Sequence, residues 1–171
     1  MGNLSEVFTD IFILAAHLRG TREYGDPDTL RRRIIDMFES AEQKGKGSGC
    51  SEESLRQARF ALAALLDETI MSSSWSRKDS WSSNTLQYEF FRENIAGVEF
   101  FNRLEALRRS PAADAGLLEV YYLCLVLGFE GQYKIHNREK LKFLRKNLRL
   151  WNAKRLRRFA KEIKRAVDLS L

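Results

Sequence analysis

The segment from Leu117 to Tyr133, LLEVYYLCLVLGFEGQY, most constrains how this chain can fold. Its ten residues from Val120 to Phe129 carry no charge, but a helix that crosses a bilayer needs about 20 apolar residues. The segment therefore predicts a helix that is buried inside a protein. We expect this helix to end at a turn, because Gly128 and Gly131 give the backbone the freedom that a turn requires.

The composition predicts an all-α fold. A chain of 171 residues can bury one core without disulfides or metal ions. It has only two prolines and ten glycines, and its frequent Leu, Ala, Arg and Glu favour helices over a turn-dense β fold. We find no strand pattern and no internal repeat in the sequence. The expectation is a single compact domain of about seven or eight helices.

Several helix boundaries can be predicted from local chemistry. The first helix is expected from about Leu4 to Arg19, and others are expected after the capping residues Asp26 and Ser51. The glycines from Gly45 to Gly49 predict a mobile surface loop between two helices. This stretch is not a phosphate-binding loop, because the Walker pattern needs two glycines four residues apart, then Lys-Ser/Thr, after a buried strand.

Charge is distributed unevenly along the chain. Residues 1–133 contain 15 Lys and Arg and 20 Asp and Glu, whereas residues 134–171 contain 14 and 3, so the net charges are −5 and +11. We therefore divide the domain into an acidic helical core, 1–133, and a basic amphipathic helical segment, 134–171, packed on it. The two cysteines do not suggest a disulfide framework, and the absence of a signal peptide predicts a reducing, cytoplasmic setting.

No pattern in the sequence predicts an enzyme. His17 and His136 are far apart, and no Cys or His cluster has the spacing of metal ligands. There is no nucleophile elbow and no glycine-rich dinucleotide loop. We therefore expect no catalytic residue, no metal and no cofactor.

Three segments together are distinctive. They are ALAALLDETI from Ala61 to Ile70, NIAGVEFFNRL from Asn94 to Leu104, and LEVYYLCLVLGFEGQY from Leu118 to Tyr133. Read together with the tryptophan-containing linker after the first, they resemble the TssL/DotU family. The resemblance covers roughly residues 10–150, and its specificity lies in these three blocks.

The resemblance implies a component of a bacterial type VI secretion machine, or of the related type IVB apparatus as a DotU-like stabilising component. Members of the family have an all-helical cytoplasmic domain, described as two packed bundles with a cleft, and a C-terminal transmembrane helix. They bind TssM in the inner-membrane complex and connect it to baseplate proteins such as TssK, and they are not known as enzymes. For this chain the implied function is a non-catalytic adaptor with TssM-like and TssK-like partners, on the cytoplasmic side of the inner membrane, with homodimerisation as a further expectation.

The acidic pair Asp67 and Glu68 has two readings. Adjacent helical residues point about 100° apart, so the two carboxylates are poorly placed as an acid/base pair. One reading is structural: one carboxylate braces the tryptophan-containing loop that follows and the other is solvated. The other is that Asp67 and Glu68, with Glu130 and Gln132, bind a partner protein at a cleft or loop. For Glu130 we favour a structural role, in which it accepts backbone N–H bonds and fixes the glycine turn.

The basic tail also has two readings. No apolar run before Leu171 is long enough to span a membrane. The resemblance therefore implies that a spanning helix follows it, and the alternative is that this member acts without one. Basic residues before such a helix are attracted to anionic lipid, and we place Arg145, Arg149, Arg155 and Arg158 on a membrane-proximal face. The alternative is a basic-tailed nucleic-acid-binding protein, but the core is acidic and no nucleic-acid module is visible, so we expect no specific nucleic acid.

Overall fold

The structure is a computed structural model that describes residues 3–110, 114–134, 137–151 and 153–169. The side chains of 148–156 and 160 lie outside this description. Every regular element in the described residues is helical, which confirms the all-α prediction. The helices are α1 (Leu4–Val7), α2 (Thr9–Arg19), α3 (Pro27–Gly47), α4 (Glu52–Met71), α5 (Lys78–Ser82), α6 (Leu86–Phe91), α7 (Ala96–Arg109), α8 (Ala115–Val126), α9 (Arg138–Trp151) and α10 (Ala153–Leu169), with a 3₁₀ turn at Gly131–Lys134.

The predicted capping residues begin helices in the structure. Asp26 Oδ2 accepts the N–H of Thr29 at 2.9 Å and begins α3. Ser51 Oγ accepts the N–H of Ser54 at 3.1 Å and begins α4. Each cap satisfies one of the N–H groups that have no partner within the first helical turn.

Two of the predicted elements differ from the structure. The first helix is interrupted at Phe8, which separates α1 from α2. The loop predicted from Gly45 to Gly49 is wrong over its first part, because α3 continues to Gly47. Gly45 is buried against α4, and a Cβ at this position would lie 2.5 Å from Leu55 Cδ2. Gly45 is therefore a packing residue that lets two helices approach closely.

Helix α4 lies at the centre of the fold. It contacts α1, α2, α3, α5, α6, α7 and α8. Helix α8 packs along it, and all residues of α8 from Leu117 to Leu125 are buried. This confirms the prediction that the apolar run is a buried helix. Among the residues that the structure describes, no helix is both long and apolar enough to cross a bilayer.

The basic helices α9 and α10 pack onto the same core. The Phe159 ring of α10 meets the Phe12 ring of α2 edge-on, with centroids 5.7 Å apart. Leu141 and Leu144 of α9 are also buried. The charge-based division of the chain at residues 133 and 134 stays a prediction.

Candidate functional site

The acidic pair at the end of α4 holds two different segments of the chain. Asp67 is 1% exposed, and its side chain accepts hydrogen bonds from the segment after α4. Its Oδ1 accepts the indole N–H of Trp81 and the backbone N–H of Leu86, both at 2.9 Å, and its Oδ2 accepts the N–H of Gln87 at 3.0 Å. Leu86 and Gln87 form the first turn of α6, where N–H groups lack helical partners. Asp67 thus fixes Trp81 and the start of α6 together.

Glu68 holds the glycine turn that follows α8. Its Oε2 accepts the N–H of Glu130 at 2.9 Å and its Oε1 accepts the N–H of Gly131 at 2.8 Å. Gly128 and Gly131 have φ angles of +101° and +52°, in the region that favours glycine. The turn therefore has the backbone freedom that the sequence predicted, and the carboxylate that fixes it is Glu68.

These contacts revise the structural reading of the pair. The prediction that one carboxylate braces the following loop holds for Asp67, which binds Trp81. The second carboxylate, Glu68, is half-buried rather than fully solvated, and each of its oxygens accepts a backbone N–H. The role expected for Glu130, as acceptor of backbone bonds in the turn, belongs instead to Glu68.

Burial dominates the electrostatics of both carboxylates. Desolvation raises the pKa of Asp67 above its usual range, against the lowering effect of the N–H groups that it accepts. Desolvation also raises the pKa of Glu68, and the backbone N–H groups of Glu130 and Gly131 and the Lys134 charge oppose it. Each carboxylate is already occupied by protein donors, so neither is placed to exchange protons with a substrate.

Glu130 and Gln132 lie on opposite sides of the glycine turn. Glu130 and Glu68 line a polar cavity of about 470 Å³. Gln132 lines a second cavity of about 350 Å³ between α7 and α9, where Phe143 is 60% exposed. The Glu130 carboxylate is half-buried and lies 3.9 Å from the Arg138 guanidinium. The structure thus brings Glu68, Glu130 and Gln132 to one turn and leaves Asp67 beneath the surface.

The predicted basic face is only partly described. Arg145 is half-buried, and its Nε and Nη2 donate to the carbonyls of Leu125 and Phe129 at 3.0 and 3.5 Å. It caps the C-terminal end of α8, where a cation interacts favourably with the helix dipole. Arg158 is exposed and lies 3.4 Å from Glu162. The side chains of Arg149 and Arg155 lie outside the described residues, and the membrane-proximal position of the four arginines stays a prediction.

Sequence reasoning missed two contacts that position the site. Thr85 caps α6: its Oγ1 accepts the N–H of Tyr88 at 3.1 Å. Gln87 Oε1 accepts the N–H of Ala96 at 3.0 Å, which ties the start of α6 to the start of α7. The Thr85 cap has a local signal, a hydroxyl three residues before the N–H it accepts. The Gln87 contact joins two helix starts and has no such signal.

The described residues contain no group of three or more His, Cys, Asp or Glu side chains that could hold a metal ion. The chemistry that this site offers is hydrogen bonding at the glycine turn, with charged side chains beside it.

Comparison with known proteins identifies the family of this chain. The model of the family described as "Type VI secretion system protein DotU" matches residues 3–167. The solved cytoplasmic domain of TssL from Acinetobacter baumannii is similar, with a TM-score of 0.78 and 31% identity, over 96% of this chain and 98% of that chain. SciP/TssL from Escherichia coli Enteroaggregative 042 has a TM-score of 0.72 and 27% identity, over 82% of this chain and 84% of that chain. Among curated proteins, no sequence matches. Because the family match extends over nearly the whole chain, the protein belongs to the TssL/DotU family of type VI secretion system proteins.

Proposed function

We propose that this protein is a non-catalytic adaptor in the membrane complex of a bacterial type VI secretion system. It links an inner-membrane component to the cytoplasmic baseplate through protein contacts. The observation that carries the proposal is the DotU family match over residues 3–167. The similar structures are described as TssL, one of them as its cytoplasmic domain, which supports a position on the cytoplasmic side of the membrane.

The site supports a binding role rather than catalysis. A general acid or base must reach the proton that it transfers, and the oxygens of Asp67 and Glu68 are taken by protein donors. The surface beside them is the glycine turn, with Glu130 on one side and Gln132 on the other. We propose that TssM-like and TssK-like proteins bind at this turn and its two cavities. Asp67 acts indirectly, because it is 1% exposed and holds the neighbouring helix start.

Capture experiments with the partners test the proposal. The chain is immobilised and exposed separately to the TssM-like and TssK-like proteins of the same organism. We expect Glu130→Ala/Gln132→Ala to weaken capture of at least one partner several-fold, since residues at the centre of an interface carry most of its binding energy. Glu52→Ala/Gln57→Ala, at the far end of α4, is the matched control and should bind as the parent does.

The outcomes test the adaptor function and the proposed contact surface at the glycine turn separately. If the parent chain captures neither partner, the adaptor function is overturned. If it captures a partner and both double variants bind equally, the adaptor function stands and the glycine turn is not the contact surface. Circular dichroism of each variant establishes that the helical fold is intact.

A further inference from the structure

An apolar groove lies between α2, α8 and α10. Its volume is about 320 Å³. Helix α2 contributes Ala16, α8 and the residue that follows it contribute Val126 and Leu127, and α10 contributes Ile163 and Val167. Val126 is 47% exposed, which is unusual for a helix whose preceding residues are almost all buried. The groove therefore exposes apolar surface next to the core.

A row of cations runs along α10 beside this groove. Arg157, Lys161 and Lys164 are exposed, and their spacing of four and three residues places them on one side of the helix. Lys164 also lines the groove. Of the two acidic residues of α10, Glu162 points to another side of the helix, where it pairs with Arg158, and Asp168 lies at the C-terminal end of the row, four residues after Lys164. We call the groove together with Arg157, Lys161 and Lys164 the α10 surface.

We propose that the α10 surface docks on an anionic lipid bilayer. The three cations interact with lipid phosphates, and the groove accepts part of an acyl chain. A basic row beside exposed apolar residues is typical of surfaces that lie in the membrane interface. Because Phe159 and Ile163 of α10 are buried on the core, the exposed apolar contribution comes chiefly from Val126 of the groove. Each Lys or Arg close to an anionic surface strengthens binding by roughly fivefold.

The size of the groove favours lipid over a protein helix. Pockets that enclose a drug-sized molecule have volumes of about 300–1,000 Å³, and this groove is at the lower end. That volume suits one acyl chain better than the several anchor side chains, spaced over two helical turns, that an amphipathic helix inserts. This membrane contact does not rest on the adaptor function, because it uses a surface that is distinct from the glycine turn.

Co-sedimentation with lipid vesicles tests the contact. The full chain is mixed with vesicles of phosphatidylcholine alone and with vesicles that also contain phosphatidylglycerol. We expect binding to the anionic vesicles only, and weaker binding as salt rises, because salt screens exposed charges over about 10 Å at 0.1 M. Lys161→Glu/Lys164→Glu should bind at least tenfold more weakly, since it removes two cations and adds two anions.

Matched variants test whether binding depends on the α10 surface itself, rather than on the net charge of the protein or on exposed apolar residues elsewhere. Arg32→Glu/Arg33→Glu makes the same charge change at exposed positions of α3 and should bind within about threefold of the parent, because its charges lie away from the row. Val126→Ser/Val167→Ser should weaken binding several-fold. Ile95→Ser/Val98→Ser, at two residues that are each 51% exposed, should not.

Three results would overturn the proposal. They are equal binding to neutral vesicles, equal losses in the α3 and α10 charge variants, and no binding to either vesicle. The last result would point to an acidic protein helix as the occupant of the groove. Circular dichroism excludes unfolding as the cause of any loss.

Discussion

Asp67 and Glu68 are neighbours in sequence, yet they hold parts of the molecule that differ in burial and in exposure to partners. Asp67 is buried and joins the tryptophan-containing linker to α6. Glu68 is half-buried and joins α4 to the glycine turn that borders two cavities. One residue of helical rotation is enough to send one carboxylate to the interior and the other towards the surface.

The difference indicates how the two residues can contribute to one function. A buried, fully bonded carboxylate fixes a junction permanently, because opening it would leave several donors without partners. A carboxylate near the surface holds its segment more weakly, because water can replace it as the acceptor. We therefore expect the Asp67 junction to be a rigid support and the turn at Glu68 to be the part that can adjust to a partner.

Asp67→Ala tests the rigid half of the comparison and should have the largest effect. The change leaves the Trp81 indole N–H and the N–H groups of Leu86 and Gln87 without their acceptor in a buried site. We expect a loss of about 3–5 kcal/mol in the free energy of unfolding, measured by urea denaturation. Asp79→Ala, at an exposed position of α5, is the control and should change it by about 0.5 kcal/mol or less. A loss below about 1 kcal/mol for Asp67→Ala would show that the junction is not a rigid support.

Gly131→Ala tests whether the turn tolerates any side chain. Its φ of +52° is costly for alanine, and a Cβ would lie 2.7 Å from the Gly97 carbonyl oxygen. We expect a loss of about 2–3 kcal/mol in unfolding free energy, from left-handed strain and steric overlap. Gly47→Ala is the control, because its Cβ would meet no atom within 4 Å and alanine favours the helix. Equal stability of Gly131→Ala and the parent would mean that the turn relaxes easily.

Glu68→Gln tests whether the glycine turn opens independently of the Asp67 junction. The amide keeps the shape and one acceptor oxygen, but its nitrogen cannot accept the second backbone N–H, so we expect a cost of about 1–2 kcal/mol. Hydrogen exchange, read amide by amide, should become faster at Glu130 and Gly131. The N–H groups of Leu86 and Gln87 bond to Asp67, so their exchange should become faster only as far as the loss of global stability requires. Faster exchange at all four amides would show that the two segments open together.

Sequence reasoning succeeded where the signal is local. The apolar run predicted the burial of α8, and Asp26 and Ser51 predicted the starts of α3 and α4, because a cap acts within four residues of its helix. It failed at Gly45, because a glycine near the end of a helical pattern is compatible both with a turn and with a close helix contact. Only the packing of α3 on α4 decides between them.

The site itself depends on contacts that the sequence does not encode locally. Glu68 bonds to residues 62 and 63 positions further along the chain, and no spacing rule relates them. Arg145 lies in a strongly basic helix, so the sequence placed it on a membrane-proximal face. Its inward position depends on where the end of α8 lies, because the Leu125 and Phe129 carbonyls are its acceptors.

The stability difference between the parent and Glu68→Gln should depend on pH, and this is the smallest of the expected effects. It tests how burial and hydrogen bonding act on the Glu68 carboxylate. Burial raises the pKa of folded Glu68 above its ordinary value of about 4.3, so the folded state keeps the proton at pH values where the unfolded chain loses it. The contribution of Glu68 to stability is therefore complete below that ordinary value and falls as pH rises through the raised pKa. Urea denaturation of the parent and of Glu68→Gln from about pH 4 to pH 7 should show a stability difference that shrinks as pH rises. A difference that grows with pH would mean that the N–H bonds from Glu130 and Gly131 outweigh burial, and that Glu68 holds the turn as a carboxylate with a lowered pKa.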